Sequence, residues 1–451
     1  MLNSKIYKMT PIFIQNCILT IRGFIRVKLK KNTFSEETLC IIHENERSAD
    51  KLQSYSGAML KSCIDNALNN VDFYKEHLSS EKCINSFPII DKSVVRSNPS
   101  AFISDVKPKV VISGATSGTT GSPLTIYQDL MAVNREQAFF DRQREWAGYK
   151  KGDKRAWIRG DMVVPFTQKK APFWRYSYFE DMILLSSFHI SANTIPGYIN
   201  AMFDFGVDII QAYPSSITAL ARYLELVDSY YPGKIKSILT SSESLSDEDR
   251  LLIETRFQCK VFDWYGLFER VAAIGQCENG SYHLLTDYSH VELIPVDESG
   301  RHEIVGTNFN NHYFPLIRYR TGDHVYLSDE ESCPCGRVFP IIEKIEGRIG
   351  DFLIGEDGQK IHILNHIPKG VVGLLGCQFH QESLGTVHVL VMVDEMIFGE
   401  NERIILIENT KERLGQTIDV TIEVVKSIQR TKSGKMRQAI CNIRDKSEEK
   451  N

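Results

Sequence analysis

The chain has 451 residues, 42% hydrophobic and 24% charged, the make-up of a soluble globular protein with room for two or three domains. A net charge of −4 excludes a global basic field for nucleic acid, and ten mostly isolated cysteines do not make a secreted disulfide scaffold. No uninterrupted apolar stretch reaches the ~18–20 residues of a membrane span, and the run Pro11 to Ile25 is broken by Gln15, Asn16 and Arg22 with no cleavage site after it, so a cytoplasmic protein is expected.

Residues 1–31 carry Lys5, Lys8, Arg22, Arg26, Lys28, Lys30 and Lys31 and no acid, with Ile14, Ile18, Ile21, Ile25 and Leu29 at helical spacing. The expectation is a helix packed on the body with a solvated basic face. The alternative is peripheral contact of residues 8–31 with the anionic inner face of a membrane. Residues 35–85 read as helical, with Leu52, Tyr55, Met59, Leu60, Ile64 and Leu68 on one face.

The stretch Ser113 to Gln128 is rich in Gly, Ser and Thr between two apolar runs. It reads as strand, tight loop, strand. Small residues let a backbone wrap a ligand, and successive N–H groups form an anion-binding nest. A flexible hairpin is the plain alternative. Gly121 is followed by Ser122-Pro123, not by the Gly-Lys-Ser/Thr ending of a P-loop.

Asp129 to Trp146 is helical again. Strands are predicted at Ala156–Arg159, Met182–Leu185, Asp208–Ala212, Lys236–Ser244 and Lys260–Gly266, alternating with helices at 193–205, 216–228 and 247–257. Ser246 or Asp247 caps the last of these. Alternation argues for a parallel α/β sheet. Ligands bind beyond the carboxyl ends of such strands, where Ser242-Glu243 and Tyr265-Gly266 fall. After residue 280 the pattern is mostly β. The last ~100 residues form a separable α+β unit, with a strand at 386–393, a helix at 400–414 and a strand at 417–425.

Five further stretches line up with the Ser113 loop. They are Ser241-Ser-Glu243, Tyr265-Gly-Leu-Phe-Glu269, Tyr319-Arg-Thr-Gly-Asp323, Gly347-Arg348 and Arg430-Thr-Lys-Ser-Gly-Lys435. Their order and spacing resemble the adenylate-forming superfamily of acyl-CoA synthetases, peptide-synthetase adenylation domains and luciferases. A closer likeness is to the phenylacetate–CoA ligase branch and to CapK-type proteins of capsular polysaccharide clusters. Tyr213-Pro-Ser, Cys333-Pro-Cys-Gly-Arg337 and the Gln15-Asn16, Gly23, Arg26 pattern carry it.

The resemblance implies an α/β fold with a large N-terminal domain of mixed and parallel sheets, 1–348, and a small mobile α+β domain, 349–451. Gly350 or Asp351 is then the hinge. It implies ATP-dependent adenylation of a carboxylate, then acyl transfer to CoA; a carrier protein, or a sugar or amine, is the alternative acceptor, and a non-catalytic relative is the alternative of another class. Ser113, Thr116, Ser117, Gly118, Thr119, Thr120 and Gly121 would hold the triphosphate. Glu269 would bind Mg²⁺, for which a carboxylate is a suitable hard ligand. Asp323 would accept from both ribose hydroxyls. Ser242 and Glu243 would flank the adenine, Tyr265 would stack on it, Gly266 would belong to the same ATP/AMP-binding set, and Arg348 would contact phosphate or ribose. Lys435 would reach the transferring phosphoryl oxygens, where a positive charge counts most. Tyr213 and Pro214 would line the carboxylate's pocket, with Trp157, Phe166, Phe173 and Trp174 nearby in sequence. A homodimer is left open.

Cys333 and Cys335 are a close pair, and Cys277 and His283 lie about fifty residues earlier. Together they offer four N/S donors suited to a structural tetrahedral Zn²⁺; the resemblance strengthens that reading. Free thiols or a strained disulfide are the alternatives.

Overall fold

The computed structural model describes residues 2, 4–76, 83–116, 124–346, 352–361, 364, 367–431 and 433–443. The chain divides into two compact units.

The first unit comprises residues 1–21, 151–261 and 349–451. Strands Met182–Ser186, Arg155–Arg159, Ile209–Ala212 and Ser237–Ser241 run parallel in that spatial order. Trp174–Ser177 adds an antiparallel strand beside Met182–Ser186. The strands at 182–186 and 237–241 are buried along their whole length, because helices cover both faces of a parallel sheet. Ile195–Phe205, Pro214–Leu226 and Asp247–Phe257 are those helices. Ser246 caps the last one, accepting from the Asp249 N–H at 3.1 Å.

The C-terminal part of this unit has its own sheet. The hairpin Leu374–Gln381 and Thr386–Val393 is flanked by Asp419–Val424 and Ala439–Cys441, each parallel to its neighbour. Period-two alternation sends its residues to two faces. Phe379, Val389 and Val391 join Leu406 and Leu414 of the helix Glu400–Leu414 in one core. Leu375, Leu390 and Met392 join Ile217 and Leu220 in another.

The second unit comprises residues 22–150 and 262–348. Its helices include Thr33–Asn45, Ala49–Asn70 and Leu130–Trp146. The predicted helical stretch 35–85 is interrupted by Ser48, an N-cap that accepts from the Lys51 N–H. Asp129 caps Leu130–Trp146 through Ala132. The sheet is antiparallel. Ser289–Pro295, Arg301–Asn308, Tyr319–Leu327, Ile341–Glu346, Tyr282–Leu284, Ala273–Gln276 and the end of Lys260–Gly266 pair in that order. The expected hairpin is present: Val111–Ala115 pairs with Thr125–Asp129. The expected α/β class holds.

The N-terminal helix Ile12–Lys30 departs from expectation. Gln15, Asn16 and Leu19 are its buried residues in the first unit, whereas Ile21, Ile25 and Leu29 of the predicted apolar stripe are exposed. The reason is hydrogen bonding to a strand edge. Asn16 Oδ1 accepts from the Tyr176 N–H at 3.0 Å and Thr20 Oγ1 from the Tyr178 N–H at 3.1 Å, which satisfies the outer edge of the strand Trp174–Ser177.

Candidate active site and metal centre

Three parallel strands of the first unit end side by side, two of them in residues the sequence singled out. Gly160 follows Arg155–Arg159, Tyr213 follows Ile209–Ala212, and Ser242 and Glu243 follow Ser237–Ser241. The loop carrying Lys435 sits on all three ends. The Tyr213 hydroxyl donates to the Ser433 carbonyl at 2.9 Å. Glu243 accepts from the Met436 N–H at 2.6 Å with one oxygen and from the Ser215 N–H at 3.0 Å with the other. Ser215 lies in the first turn of Pro214–Leu226, whose cap residue Tyr213 gives no side-chain bond. Glu243 therefore satisfies a helix N-terminus and the lysine loop at once. Gly160 and Gly434 allow the close approach, since a Cβ on either would collide with the other's backbone segment.

The loop is braced internally. Thr431 Oγ1 accepts from the Lys435 N–H at 3.1 Å, and Gly434 turns with φ +77°. Arg430 donates to Ser215 Oγ at 3.1 Å and to the Gly434 carbonyl at 3.0 Å. Burial pushes its guanidinium below its ordinary pKa, and the Glu243 charge opposes that shift. Ser242 holds a left-handed φ of +74°, costly for a residue with a Cβ, and accepts from Arg159 at 2.9 Å. Arg159 lies over the Tyr213 ring. A cavity of about 610 Å³ adjoins the loop, lined by Met162, Phe166, Phe188 and Ser427 to Thr431. Of the aromatics named from sequence, Phe166 lines it, and Phe173 is in the core.

The second unit gathers the other group. The Tyr265 hydroxyl donates to Asp323 Oδ2 at 2.7 Å, with Asp323 on the strand Tyr319–Leu327 just after Gly322, which turns with φ +75°. Glu269 is 2% exposed and accepts from the Tyr319 hydroxyl at 3.3 Å. The hairpin packs on the same segment, for a Cβ on Gly114 would collide with the Phe268 ring. Ser113 pairs with Tyr127 in that hairpin. Thr116 closes it, its N–H donating to the Leu124 carbonyl and its Oγ1 accepting from the Leu124 N–H. Ser117, Gly118, Thr119, Thr120, Gly121, Arg348, Gly350 and Asp351 lie outside the described residues.

Sequence reading missed Arg430 as a loop brace and Arg270. Arg270 follows Glu269 with φ +59° and donates to the Ala132 carbonyl. Arg430 stands in the motif that ends at Lys435, but nothing in its spacing announces a brace, and Arg270 carries no pattern of its own.

Cys277, His283, Cys333 and Cys335 are all buried, and their donor atoms lie within 4.8 Å of one another. Cys277 Sγ is 3.7 Å from Cys333 Sγ, and Cys335 Sγ is 3.4 Å from His283 Nε2. Tetrahedral zinc with Zn–S of about 2.3 Å and Zn–N of about 2.0 Å sets edges of roughly 3.8 and 3.5 Å. Two of the donor pairs already stand at these edges, and the four N/S donors suit zinc. A turn supplies each half: the Gly280 N–H donates to the Cys277 carbonyl, the Gly336 N–H to the Cys333 carbonyl. Burial pushes the Cys277 thiol up to about 12, so a cation must draw its proton off on binding. Around the cluster, Arg47 donates to the Cys335 carbonyl, and Glu46 accepts from Trp146 Nε1 at 2.9 Å. Arg142 pairs with the buried Asp287 at 2.6 Å.

Residues 353–442 match the CapK C-terminal domain family. Along 97% of its length the chain is 27% identical to Protein CapK of Staphylococcus aureus, covering 99% of that protein. Over 68% of its length it is 27% identical to Phenylacetate-coenzyme A ligase of Pseudomonas putida, covering 73% of it. Among solved structures, 2-hydroxyisobutyryl-CoA ligase in its postadenylation state superposes with a TM-score of 0.62 at 16% identity, over 89% of this chain and 92% of that one. The fold is that of adenylate-forming CoA ligases, and the resemblance read from the motifs stands.

Proposed function

We propose that the protein adenylates a carboxylate with ATP and passes the acyl group to CoA. A carboxylate oxygen attacks the α-phosphorus, and pyrophosphate leaves with the electrons of the broken P–O bond. The CoA sulfur then attacks the acyl carbon, its proton goes to solvent, and AMP leaves. The observation that carries the reading is the Lys435 loop fastened across three parallel strand ends by Tyr213 and Glu243. A cation delivered there stabilises charge on the transferring phosphoryl group.

In this reading Asp323, oriented by Tyr265, takes the ribose hydroxyls. Glu269 takes Mg²⁺, which screens the phosphates. Ser113, Thr116 and the loop 117–121 hold the triphosphate, with Arg348 on phosphate or ribose. Tyr213 and Pro214 border the carboxylate's pocket. Residues 349–451 act as a mobile lobe on 1–348, pivoting at Gly350 or Asp351. Zinc in the Cys277, His283, Cys333, Cys335 cluster is structural, since four protein ligands leave no open position. The enzyme acts in the cytoplasm, in capsular or exopolysaccharide assembly, a setting that the motif resemblance to CapK-type proteins implies.

The test is pyrophosphate release over a panel of carboxylates, with CoA, with a phosphopantetheine carrier protein, and with neither. Carboxylate-dependent release with thioester formation on CoA supports the reading. Thioester on the carrier alone, or transfer to a sugar or amine, replaces the acceptor. No release with any carboxylate, together with no ATP binding by calorimetry, leaves a non-catalytic relative.

A further inference from the structure

The N-terminal helix buries Gln15 and Asn16 beside Leu19 and turns several large apolar residues outward. Gln15 Nε2 donates to the carbonyls of Tyr7 and Thr10, both at 3.0 Å, and its oxygen accepts from Arg175. The buried Tyr7 anchors the preceding short helix, Lys5–Met9, by donating to the Val163 carbonyl at 2.7 Å. The helix pair is thus held by directed bonds to the edge of the first unit's sheet, together with the buried Leu19 in that unit's core. Other apolar side chains face solvent: Phe13 is 68% exposed, Ile21 56%, Ile25 50% and Leu29 51%. Spaced at eight, four and four along one helix, they fall within one half of its circumference and make a broad apolar face. Met9, 85% exposed, precedes it.

A soluble protein rarely leaves so continuous an apolar face uncovered. Charge decides what covers it. Lys5, Lys8 and Lys28 are exposed along the same helices, Lys31 just beyond them pairs with Asp141 at 3.3 Å, and no acid occurs in residues 1–31. A helix with an exposed apolar stripe and basic flanks, too short in apolar length to span a bilayer, lies in the interface of an anionic lipid surface. We propose that residues 5–31 dock this protein on an anionic membrane surface, the apolar stripe from Phe13 to Leu29 entering the acyl boundary and the flanking lysines meeting lipid phosphates. This is independent of the adenylation reading, and it places whatever reaction the protein catalyses at a lipid surface. The exposed face of Ile12–Lys30, some 28 Å long at 1.5 Å per residue, is then the contact line.

The test is co-sedimentation of the full chain with vesicles of phosphatidylcholine alone and of phosphatidylcholine with an equal share of phosphatidylglycerol. The expected result is binding at least about ten-fold tighter to the anionic vesicles, weakened by salt. Phe13→Ser with Ile21→Ser, and separately Lys8→Glu with Lys28→Glu, are each expected to lower that binding by about ten-fold or more. These side chains are exposed, so thermal unfolding is expected to stay where it is in the full chain. Failure to bind either vesicle overturns the proposal, as does unchanged binding by both variants. A solution dimer that Phe13→Ser with Ile21→Ser splits also overturns it, because the stripe's occupant is then a second copy.

Discussion

Replacing Glu243 by Gln probes the fastening of the lysine loop. The carboxylate accepts from two backbone N–H groups, Met436 at 2.6 Å and Ser215 at 3.0 Å. An amide keeps one acceptor and turns an NH₂ toward the other N–H. One charge-assisted bond is lost, and a donor faces a donor. A hydrogen bond to a charged group contributes about 1.5–3 kcal/mol; Glu243 is only half-buried, so about 2 kcal/mol is the working figure. That corresponds to about thirty-fold in the docked population of the loop. Single-turnover pyrophosphate release is expected to slow by about that factor, while calorimetric ATP affinity changes little. Proteolytic nicking near 426–436 is expected to quicken in step. An unchanged rate with unchanged nicking refutes the fastening role. Weakened ATP affinity with an unchanged rate at saturating ATP assigns Glu243 to the adenine instead.

Lys435→Ala is expected to lower adenylation by about a thousand-fold or more with ATP affinity retained; measured turnover within a few-fold of the parent contradicts its role. Tyr265→Phe removes the 2.7 Å bond to Asp323, and kcat/KM for ATP is expected to fall about ten-fold, with a smaller fall for 2′-deoxy-ATP if Asp323 holds the ribose. Metal analysis of the purified protein is expected to return zinc stoichiometrically. Cys333→Ser is expected to abolish it and lower Tm by several degrees; full stability in a zinc-free protein contradicts a structural metal. Burial lowers the Lys30 pKa to about 8, with Arg26 and Arg270 adding to the shift. The unfolded chain then binds more protons than the folded one between about pH 8 and 10.5. Stability from this group is expected to rise with pH across that window, and Lys30→Met, followed by denaturant titration at each pH, is expected to remove the rise.

Elements with local punctuation were legible in the sequence. Asp247–Phe257 announces itself by Ser246 and an acidic first turn, and the strands at 182–186 and 209–212 by short apolar runs between helices. Leu374–Gln381 was not legible: buried nearly throughout, it lacks the alternation that marks a half-buried strand. Ala439–Cys441 is three residues long and depends on pairing with residues sixty positions earlier. In the N-terminal helix, periodicity revealed a stripe at Ile21, Ile25 and Leu29 but not that it faces outward. That depends on Asn16 and Thr20 meeting the backbone of Tyr176 and Tyr178. At the site, separate motifs point to Tyr265 and Asp323, while the bond between them is visible only in the fold. Glu46, Arg142, Asp287 and Arg337 around the cysteine cluster come from distant segments, with no common spacing to link them.

Carboxylate-dependent exchange of labelled pyrophosphate into ATP isolates the adenylation step from any acceptor, and so addresses the central claim most directly. The account predicts exchange with at least one carboxylate of a broad panel, requiring Mg²⁺ and lost in Lys435→Ala. Absence of exchange across the panel in a folded, ATP-binding protein, or exchange that survives Lys435→Ala undiminished, contradicts it.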